Sequence, residues 1–457
     1  MSKYNKQDLN DTICALATAN GVGAIGVIRV SGNKALEIVD SIFPDKSLIK
    51  QPSHTIHFGK IISDSKILDE VLVSLFINPK SYTGEDTIEI SCHGSPFIQQ
   101  QILQLLVSKG CRLAKPGEFT LRAFLNKKLD LSQAEAVADV IASNSEESHR
   151  TAMMQMRGGI SNQIAEMRER LINFASLIEL ELDFAEEDVE FAKREDLIRL
   201  VIQIKSIIEE LLASFKYGNA IKNGIPTVIA GKPNAGKSTL LNALINEERA
   251  IVSEIAGTTR DTIEEAFVID GIVFRLIDTA GIRDNTADSI ENIGIERTFD
   301  KLQKASIIIY LYDASKTNTS ELIDELSRFT NTNAVVIPVA NKIDLLTKPI
   351  TIDNNTISLS AKDKTGIDLL KERLLEIVRK DKVKNDVVLT NLRHYEALQH
   401  ANDALQIILN GIDTQITGEL LAFDIRKALF HLGEITGSTI TSDDLLANIF
   451  SKFCIGK

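Results

Sequence analysis

Hydrophobic positions near the start of the chain follow the two-residue period of β-strands. Short runs rich in β-branched residues predict strands at four places: Thr12–Ala17, Gly26–Val30, Leu72–Phe76 and Thr87–Ile90. Between residues 96 and 109, apolar residues recur instead at the spacing of an amphipathic helix. We therefore expect residues 1–125 to form an α+β domain.

From residue 131 the apolar residues recur in steps of three and four, which is typical of the buried stripe of long helices. Two such stripes are Met153, Met156, Ile160, Ile164, Met167, Leu171, Phe174 and Ile178, then Leu197, Val201, Ile204, Ile208, Leu211 and Phe215. The same period returns after residue 385, at Leu398, Leu405, Ile408, Leu420, Leu429 and Leu432. This pattern predicts one helical domain in two parts, residues 126–220 and 384–457.

Between these two parts, residues 221–383 alternate strand-like and helix-like segments. Strands are expected at Phe267–Ile269, Ile272–Asp278, Ile307–Asp313 and Val335–Ala340, after a linker at Tyr217–Gly224. Alternation of this kind predicts a mostly parallel sheet covered by helices on both faces. The fold class is thus multidomain α/β plus α, with an α/β domain inserted into a helical one.

Composition and charge limit the classes of function. The 457 residues are 44% hydrophobic and 25% charged, with a net charge of −12 and a pI near 5.3. So acidic a chain is not expected to bind nucleic acid strongly by itself. Four cysteines without a CxxC pair argue against a disulfide scaffold or a structural zinc site. A polar N-terminus and the lack of an apolar run of about 18 residues predict a cytoplasmic protein without a membrane span.

The clearest chemical signal is Gly231–Ser238, which has the form GxxxxGKS. It follows the apolar run Ile225–Ala230 and precedes a helix-like segment, the order that a phosphate-binding loop requires. In such a loop Lys237 contacts the β- and γ-phosphates and the Ser238 hydroxyl binds Mg²⁺. Taken alone, the eight residues also fit an ordinary glycine turn.

Four further motifs follow in chain order and favour a GTP site in a Ras-like domain. Gly257–Asp261 offers the Thr259 hydroxyl to Mg²⁺, and Asp278–Gly281 ends a strand beside the phosphates. Asn341–Asp344 places a carboxylate that can accept the two N–H donors of guanine, which adenine lacks. Ser360–Lys362 closes over the base. The position after Gly281 is Ile282, which cannot orient water as the glutamine of Ras-type GTPases does.

These five motifs resemble those of the bacterial tRNA-modification GTPase family MnmE/TrmE. The resemblance extends to Pro233–Asn234, Ile251–Asp261, Tyr82–Asp86, Arg122–Asn126 and the tail Phe453–Lys457. It covers essentially the whole chain, and the CIGK tail is its most specific part.

For the G domain the resemblance implies a K⁺-activated GTPase. Asn234, Ser253, Ile255 and Thr258 match the K⁺ ligands, and Ser238 and Thr259 the Mg²⁺ ligands. Glu291 matches the water-orienting glutamate, although its segment lies one residue further from Gly281 than the family pattern has it, and Lys237 is the second catalytic residue. On the residues alone, Asn234 is interpreted as a loop residue without a ligand role, and Glu291 as a surface carboxylate.

The motifs and the resemblance together predict the residues that contact GTP. These positions are Asn234, Ala235, Gly236, Lys237, Ser238, Thr239, Ser253, Glu254, Ile255, Ala256, Gly257, Thr258, Thr259, Asp278, Thr279, Ala280, Gly281, Asn341, Lys342, Asp344, Ser360, Ala361 and Lys362.

For the N-terminal domain the resemblance implies dimerisation and binding of a tetrahydrofolate derivative, 5-formyl or methylene. Arg29, Glu89, Lys128 and Lys457 match the folate positions. On the residues alone they read as solvated or structural charges. Cys454 matches a near-terminal cysteine whose role stays open between a nucleophile and a part of the site. Cys14, Cys92 and Cys111 are expected to be inert core thiols.

The resemblance further implies a homodimer that acts with the flavoprotein GidA/MnmG, which carries FAD, in a heterotetramer-type complex. The complex adds an aminomethyl or carboxymethylaminomethyl group to C5 of the wobble uridine of certain tRNAs. Contact with tRNA is expected mostly through the partner. The alternative is a ribosome-assembly GTPase resembling Era or Der, acting as a binding switch.

Overall fold

The computed structural model describes residues 10–183, 193–247, 265–277, 305–330, 332, 334–346, 355–380, 387–438, 453 and 456. The chain divides into two compact units. The first comprises Met1–Ala138, Gln155–Arg194 and Asn410–Lys457, and the second Asp139–Met154 and Glu195–Leu409. The predicted helical domain contributes residues to both units, and the domain boundaries given above stay predictions.

The first unit contains a six-stranded sheet in the order β3-β4-β5-β2-β1-β6. Its strands are β1 Ile13–Leu16, β2 Ile25–Ser31, β3 Thr55–Ser63, β4 Lys66–Phe76, β5 Thr87–His93 and β6 Arg112–Leu113. Neighbours pair antiparallel except for β1 and β6. The four predicted strands are confirmed, whereas β3 and the two-residue β6 were not predicted.

Helices α1 Ala35–Asp40 and α2 Pro96–Ser108 pack on one face of this sheet. Helix α3 Glu118–Leu125 packs on the other face, where Phe119 meets Ile13 and Ala15 of β1. Apolar residues of β2, β4, β5, α1 and α2 form one buried cluster. Cys14, Cys92 and Cys111 belong to this cluster, as expected of core thiols. Burial raises the pKa of the Cys92 thiol to about 11, which keeps it protonated and unreactive.

The first unit also contains long helices whose periodicity the sequence predicted. They are α4 Leu131–Ala142, which continues into the second unit, α6 Gly159–Asp183 and α12 Gly418–Thr436. Helix α6 packs against α12. Ile160, Ile164, Met167, Leu171 and Ile178 of the first stripe are all buried, which confirms the predicted packing face of α6.

The second unit contains a six-stranded sheet in the order β12-β11-β10-β7-β9-β8. Its strands are β7 Ile225–Ala230, β8 Glu265–Ile269, β9 Ile272–Leu276, β10 Ile307–Asp313, β11 Val335–Asn341 and β12 Ile357–Ser358. Only the β8–β9 hairpin is antiparallel among these described strands, which confirms the predicted mostly parallel sheet. The described helices of this unit are α5 Glu146–Met156, α7 Arg194–Asn223, α8 Lys237–Glu247, α9 Thr319–Ser327, α10 Ile367–Arg379 and α11 Leu392–Asp413.

The predicted linker before this sheet is wrong. Helix α7 continues through Asn223 and leads almost directly into β7. Tyr217, Gly218 and Ile221 are buried, so tertiary packing keeps this glycine- and asparagine-containing stretch helical. Among the helices that the structure describes, none is long and apolar enough to cross a membrane.

Candidate functional site

The loop between β7 and α8 has a backbone that only its own residue types can form. Gly231 has φ +146°, and a Cβ there would lie 2.0 Å from the Leu311 carbonyl oxygen. Gly236 has φ +100°, and its Cβ would lie 2.3 Å from Nδ2 of Asn341. Asn234 adopts φ 63°, a region that asparagine tolerates better than most residues. Since the loop joins a buried strand to a helix N-terminus, it has the geometry of a phosphate-binding loop and not of a simple turn.

Lys237, the first residue of α8, folds back over this loop. Its Nζ donates to the carbonyl oxygens of Gly231 at 2.7 Å and Lys232 at 3.1 Å. Burial lowers the pKa of this ammonium. A cation held by backbone carbonyls can exchange those carbonyls for phosphate oxygens. Ser238 and Thr239 follow in the first turn of α8.

Asn341 connects the phosphate loop to the base-binding side of the sheet. It ends β11 and is almost fully buried, with 2% exposure. Its Nδ2 donates to the Ala235 carbonyl at 2.8 Å, and its Oδ1 accepts the Ala361 N–H at 3.0 Å. One side-chain amide therefore fixes two loops that lie far apart in sequence. We call this three-loop arrangement of Asn341, Ala235 and Ala361 the asparagine lock.

Asp344 lies next to the lock, in a short 3₁₀ helix at Ile343–Leu345. The Ser360 hydroxyl donates to Asp344 Oδ1 at 2.7 Å and so orients the carboxylate. The geometry leaves carboxylate lone pairs for further donors, as a pair of guanine N–H groups requires. Lys362, two residues beyond Ser360, is exposed.

Sequence reasoning missed Asp313, at the end of β10. Lys342, which has φ 64°, donates from Nζ to Asp313 Oδ2 at 2.8 Å. Burial of Asp313 favours its neutral form, but hydrogen bonds from Lys342 and Ser315 prevail and lower the pKa of its carboxyl. The pair fixes the Lys342 stem at the carboxyl edge of the sheet. Its position at a strand end was the signal that could have found it.

The remaining predicted positions lie outside the described residues. In the G domain these are Ser253, Glu254, Ile255, Ala256, Gly257, Thr258, Thr259, Asp278, Thr279, Ala280, Gly281 and Glu291, and in the tail Cys454 and Lys457. The roles expected for them stay predictions.

In the first unit, the structure brings two of the predicted folate residues together. Arg29 and Glu89 face each other in the β2–β5 register. Arg29 donates to Glu89 Oε1 from Nε at 3.0 Å and from Nη2 at 2.7 Å. Its Nη1 donates to the Gly456 carbonyl at 3.3 Å, so the C-terminal tail reaches this pair.

Two aromatic rings contribute to the same site, and sequence reasoning missed both. The Arg29 guanidinium lies 5.4 Å from the centre of the Tyr82 ring and 5.6 Å from that of Phe119. Such cation–π contacts hold a guanidinium in place. Lys128 donates to the Pro79 carbonyl at 2.8 Å, so it lies against the loop that carries Tyr82.

A buried ion network holds that loop against α3. Arg122 contacts Glu85 Oε2 at 3.0 Å and Glu118 Oε1 at 3.3 Å, and Arg112 reaches the same Glu118 oxygen at 2.6 Å. Arg122 is 2% exposed and Glu118 is fully buried. The ion pair of Arg122 and Glu85 therefore joins the motif Tyr82–Asp86 to the motif Arg122–Asn126.

Comparisons with known proteins agree across the chain. Residues 12–128 match the family model of the GTP-binding protein TrmE N-terminus, and residues 131–454 that of the MnmE helical domain. A tRNA modification GTPase MnmE of Cytophaga hutchinsonii is 56% identical over the full length of both chains. That of Flavobacterium johnsoniae is 54% identical over 98% of this chain and 99% of its own. The chain belongs to the MnmE family of tRNA modification GTPases.

MnmE membership confirms the resemblance identified from the motifs and the tail. Among solved structures, the crystal structure of the G domain of the T. maritima FeoB iron transporter aligns with 33% of this chain and 97% of its own, at 26% identity and a TM-score of 0.25. That score is too low to add to the MnmE assignment.

Proposed function

We propose that this chain hydrolyses GTP in the service of tRNA modification. The observation that carries the proposal is the asparagine lock, which joins the phosphate loop to the loop that orients Asp344. A site of this kind couples phosphate binding to recognition of guanine. The test is nucleotide competition: GTP and GDP should displace a fluorescent guanine nucleotide, and a hundredfold excess of ATP should not.

Lys237 binds the β- and γ-phosphates, and Asp344 accepts the N1–H and N2–H₂ donors of guanine. Adenine would leave that carboxylate without donors, and a site built for hydrogen bonds rejects such an analogue by about 10⁴-fold. Glu291 orients the attacking water, because Ile282 occupies the position of the usual glutamine. The contacts of Lys237 with the loop carbonyls and of Asp344 with Ser360 support the first two roles.

Mg²⁺ and K⁺ suit the donor set of the loop. The hydroxyls of Ser238 and Thr259 are hard oxygen ligands of the type that Mg²⁺ prefers. Asn234 is exposed in the loop, with the left-handed backbone given above, and offers a neutral amide oxygen. Together with Ser253, Ile255 and Thr258 it would hold K⁺. These cations supply positive charge that stabilises the charge developing on the transferring phosphoryl group.

The K⁺ proposal is tested by the GTPase rate in potassium and in sodium buffer. The unchanged chain should hydrolyse GTP faster in potassium, and Asn234→Ala should lose that gain. The exposed Asn242 of α8 is a matched control, so Asn242→Ala should retain it. Equal rates of the unchanged chain in sodium, potassium and caesium would reject K⁺ activation. A gain that persists in Asn234→Ala would reject Asn234 alone.

We further propose that the first unit binds a reduced folate, 5-formyl- or methylene-tetrahydrofolate, through Arg29, Glu89, Lys128 and Lys457. A carboxylate such as Glu89 can pair with the N–H edge of a pterin, and Arg and Lys suit the glutamyl carboxylates. The support is that Arg29, Glu89 and the tail residue Gly456 lie together. Calorimetric titration with 5-formyltetrahydrofolate tests it, and a lack of heat at micromolar concentrations of chain and ligand would reject it.

In the proposed reaction a homodimer acts with the flavoprotein GidA/MnmG, which carries FAD, in a heterotetramer-type complex in the cytoplasm. The complex modifies C5 of the wobble uridine of certain tRNAs with a folate-derived carbon. A net charge of −12 favours tRNA contact mostly through the partner. The match of residues 12–128 to the TrmE N-terminus argues against the Era- or Der-like switch. Reconstitution with the partner, tRNA and methylene-tetrahydrofolate tests the reaction, and unmodified uridine in the complete mixture would reject it.

A further inference from the structure

Asn234 lies at the corner of a tight turn in the phosphate loop. The Ala235 N–H donates to the Lys232 carbonyl at 3.2 Å and closes this turn. Pro233 and Asn234 occupy its two central positions, and Asn234 has φ 63°. Proline at the first central position and asparagine with positive φ at the second are typical of a type II turn. The direction in which the turn presents Asn234 is therefore set by its two ends, Lys232 and Ala235.

The two ends of this turn are held by different groups. At the far end, the Ala235 carbonyl accepts the Asn341 amide at 2.8 Å, which is part of the asparagine lock. At the near end, the Lys232 carbonyl accepts Lys237 Nζ at 3.1 Å. In the proposed function Lys237 binds the β- and γ-phosphates, so this contact is given up when GTP binds. Another group must then hold the near end of the turn.

The side chain of Lys232 connects the near end of the turn to helix α9. Its Nζ lies 2.8 Å from Glu325 Oε1 and also contacts Glu321. Glu325 is only 14% exposed, although Glu321 and Lys232 are each about half exposed. The helix is itself fixed to the sheet, since Leu322 is buried in a cluster with residues of β10. We call Lys232, Glu321 and Glu325 the loop tether.

The loop tether differs from an ordinary surface ion pair. Arg373 and Glu376, for example, are neighbours on one helix and both are largely exposed. Lys232 instead joins a loop to a separate helix and contacts two carboxylates at once. Glu321 and Glu325 are four residues apart, and like charges at this spacing destabilise a helix unless a cation lies between them. Lys232 supplies that cation, so α9 and the phosphate loop stabilise each other.

We propose that Lys232 is a positioning residue for Asn234 in GTP hydrolysis, with the two glutamates of α9 as its anchors. The inference rests on the proposed K⁺ function of Asn234. Once Lys237 has moved to the phosphates, the loop tether holds the near end of the turn and the asparagine lock holds the far end. The Asn234 amide is then presented in one orientation, which lowers the entropy cost of binding a cation. Lys232 acts through the turn and not on the reacting atoms.

The first test is the GTPase rate of the full chain, titrated with KCl at constant ionic strength. Lys232→Gln should raise the K⁺ concentration for half-maximal rate by about fivefold, the size of effect that a partly exposed ion pair supports. Its rate at saturating K⁺ and its affinity for GDP should stay within about twofold, because Lys232 contacts neither the water nor the base. Lys232→Arg keeps the charge and should restore the half-saturation. Lys316→Gln, at an exposed lysine just before α9, is the matched control and should behave as the unchanged chain.

A double-mutant cycle separates the loop tether from a general loss of charge. Glu325→Gln should shift the half-saturation in the same direction as Lys232→Gln. The double variant should shift it no further than the larger single effect, because both substitutions remove the same interaction. Backbone hydrogen exchange supplies a readout besides activity. With a non-hydrolysable GTP analogue bound, residues 231–238 should exchange about fivefold faster in Lys232→Gln, whereas β11 should be unchanged.

The outcomes distinguish this inference from the proposed K⁺ function. Equal GTPase rates of the unchanged chain in sodium and potassium would reject the K⁺ function and this inference with it. A K⁺-activated chain whose half-saturation does not shift in Lys232→Gln would overturn this inference alone. Additive shifts in the Lys232 and Glu325 cycle would overturn it as well, as would unchanged exchange of residues 231–238 in Lys232→Gln.

Discussion

The nucleotide site and the Arg29–Glu89 site hold their candidate ligand groups in opposite ways. In the nucleotide site, neutral contacts orient the groups, since an amide and a hydroxyl fix the loops and Asp344. In the first unit, Arg29 and Glu89 bind each other. A ligand therefore enters a prepared site in one unit, whereas it must replace an ion pair in the other. We expect substitutions in the nucleotide site to cost more affinity, because the carbonyls that hold Lys237 and the hydroxyl that holds Asp344 are neutral and compete more weakly for these groups than an ion-pair partner does.

The largest expected effect is at Asp344. Asp344→Asn puts an amide in place of one carboxylate oxygen, so it faces the guanine donors with a donor of its own. We expect GTP affinity to fall by about 10³-fold or more, as for other sites with an unpaired buried polar group, while xanthine nucleotides, which carry an acceptor at C2, gain affinity. Fluorescent-nucleotide titration measures both.

Asp363 provides the control for that experiment. Its Oδ2 lies 3.4 Å from the same Ser360 hydroxyl, but its side chain is exposed. Asp363→Asn should leave GTP affinity within about twofold. Equal losses in the two variants would mean that Asp344 acts through the loop and not on the base.

The next largest effect concerns chemistry and not binding. Glu291→Ala should lower kcat for GTP by about 10²-fold and leave GTP affinity nearly intact, because a water-orienting group acts only in the transition state. Glu296→Ala, from the same sequence segment, should have little effect. A parallel loss of affinity and kcat in Glu291→Ala would assign this glutamate to structure.

The Arg29–Glu89 pair should show a smaller effect of a different kind. The two side chains are 16% and 27% exposed, and pairs of this type contribute about 0.5–1 kcal/mol to stability. Glu89→Gln should weaken 5-formyltetrahydrofolate binding by about tenfold, since one charge-assisted hydrogen bond is worth about 1.5 kcal/mol. Calorimetry measures the affinity and urea unfolding the stability. Unchanged affinity in both Glu89→Gln and Arg29→Gln would show that the pair is structural and that the ligand does not replace it.

Some parts of these two sites could be predicted from sequence because their signals are local. The loop Gly231–Ser238 requires its glycines for reasons set within the loop and the adjoining strand. The lock by Asn341 and the rings beside Arg29 depend on residues far apart in the chain, for which a single sequence carries no spacing rule. The Arg122–Glu85 pair joins two motifs that sequence reasoning had used only as family signatures.

Two differences between the predicted and the observed fold have the same origin in tertiary context. Strand β3 was missed because its inward positions include His57 and Gly59, whereas Ile56 and Phe58 project outward and are exposed. The usual rule of apolar residues inside and polar residues outside is thus reversed there. The linker at 217–224 was predicted from glycine and asparagine, yet burial of Tyr217 and Ile221 offsets their low helix propensity.

The smallest expected effect concerns the ion pair between Lys342 and Asp313. It tests whether charge also stabilises the nucleotide site. Hydrogen bonds from Lys342 and Ser315 keep the pKa of Asp313 below its ordinary value despite the opposing effect of burial. A lowered carboxyl pKa stabilises the folded chain above the unfolded-state pKa, and this stabilisation is lost as pH falls through the folded-state value.

Lys342→Met should therefore lower the free energy of unfolding by less than about 1 kcal/mol at pH 7, as for a partly exposed pair. The difference from the unchanged chain should shrink towards zero as the pH falls below the ordinary carboxyl pKa of 3.8 and Asp313 becomes protonated. Urea unfolding of the nucleotide-free chain at several pH values measures it, and Lys316→Met, at an exposed lysine three residues beyond Asp313, is the control. A difference that stays constant down to acid pH would mean that Lys342 stabilises the site by packing of its stem, and the nucleotide site would then rest on neutral contacts alone.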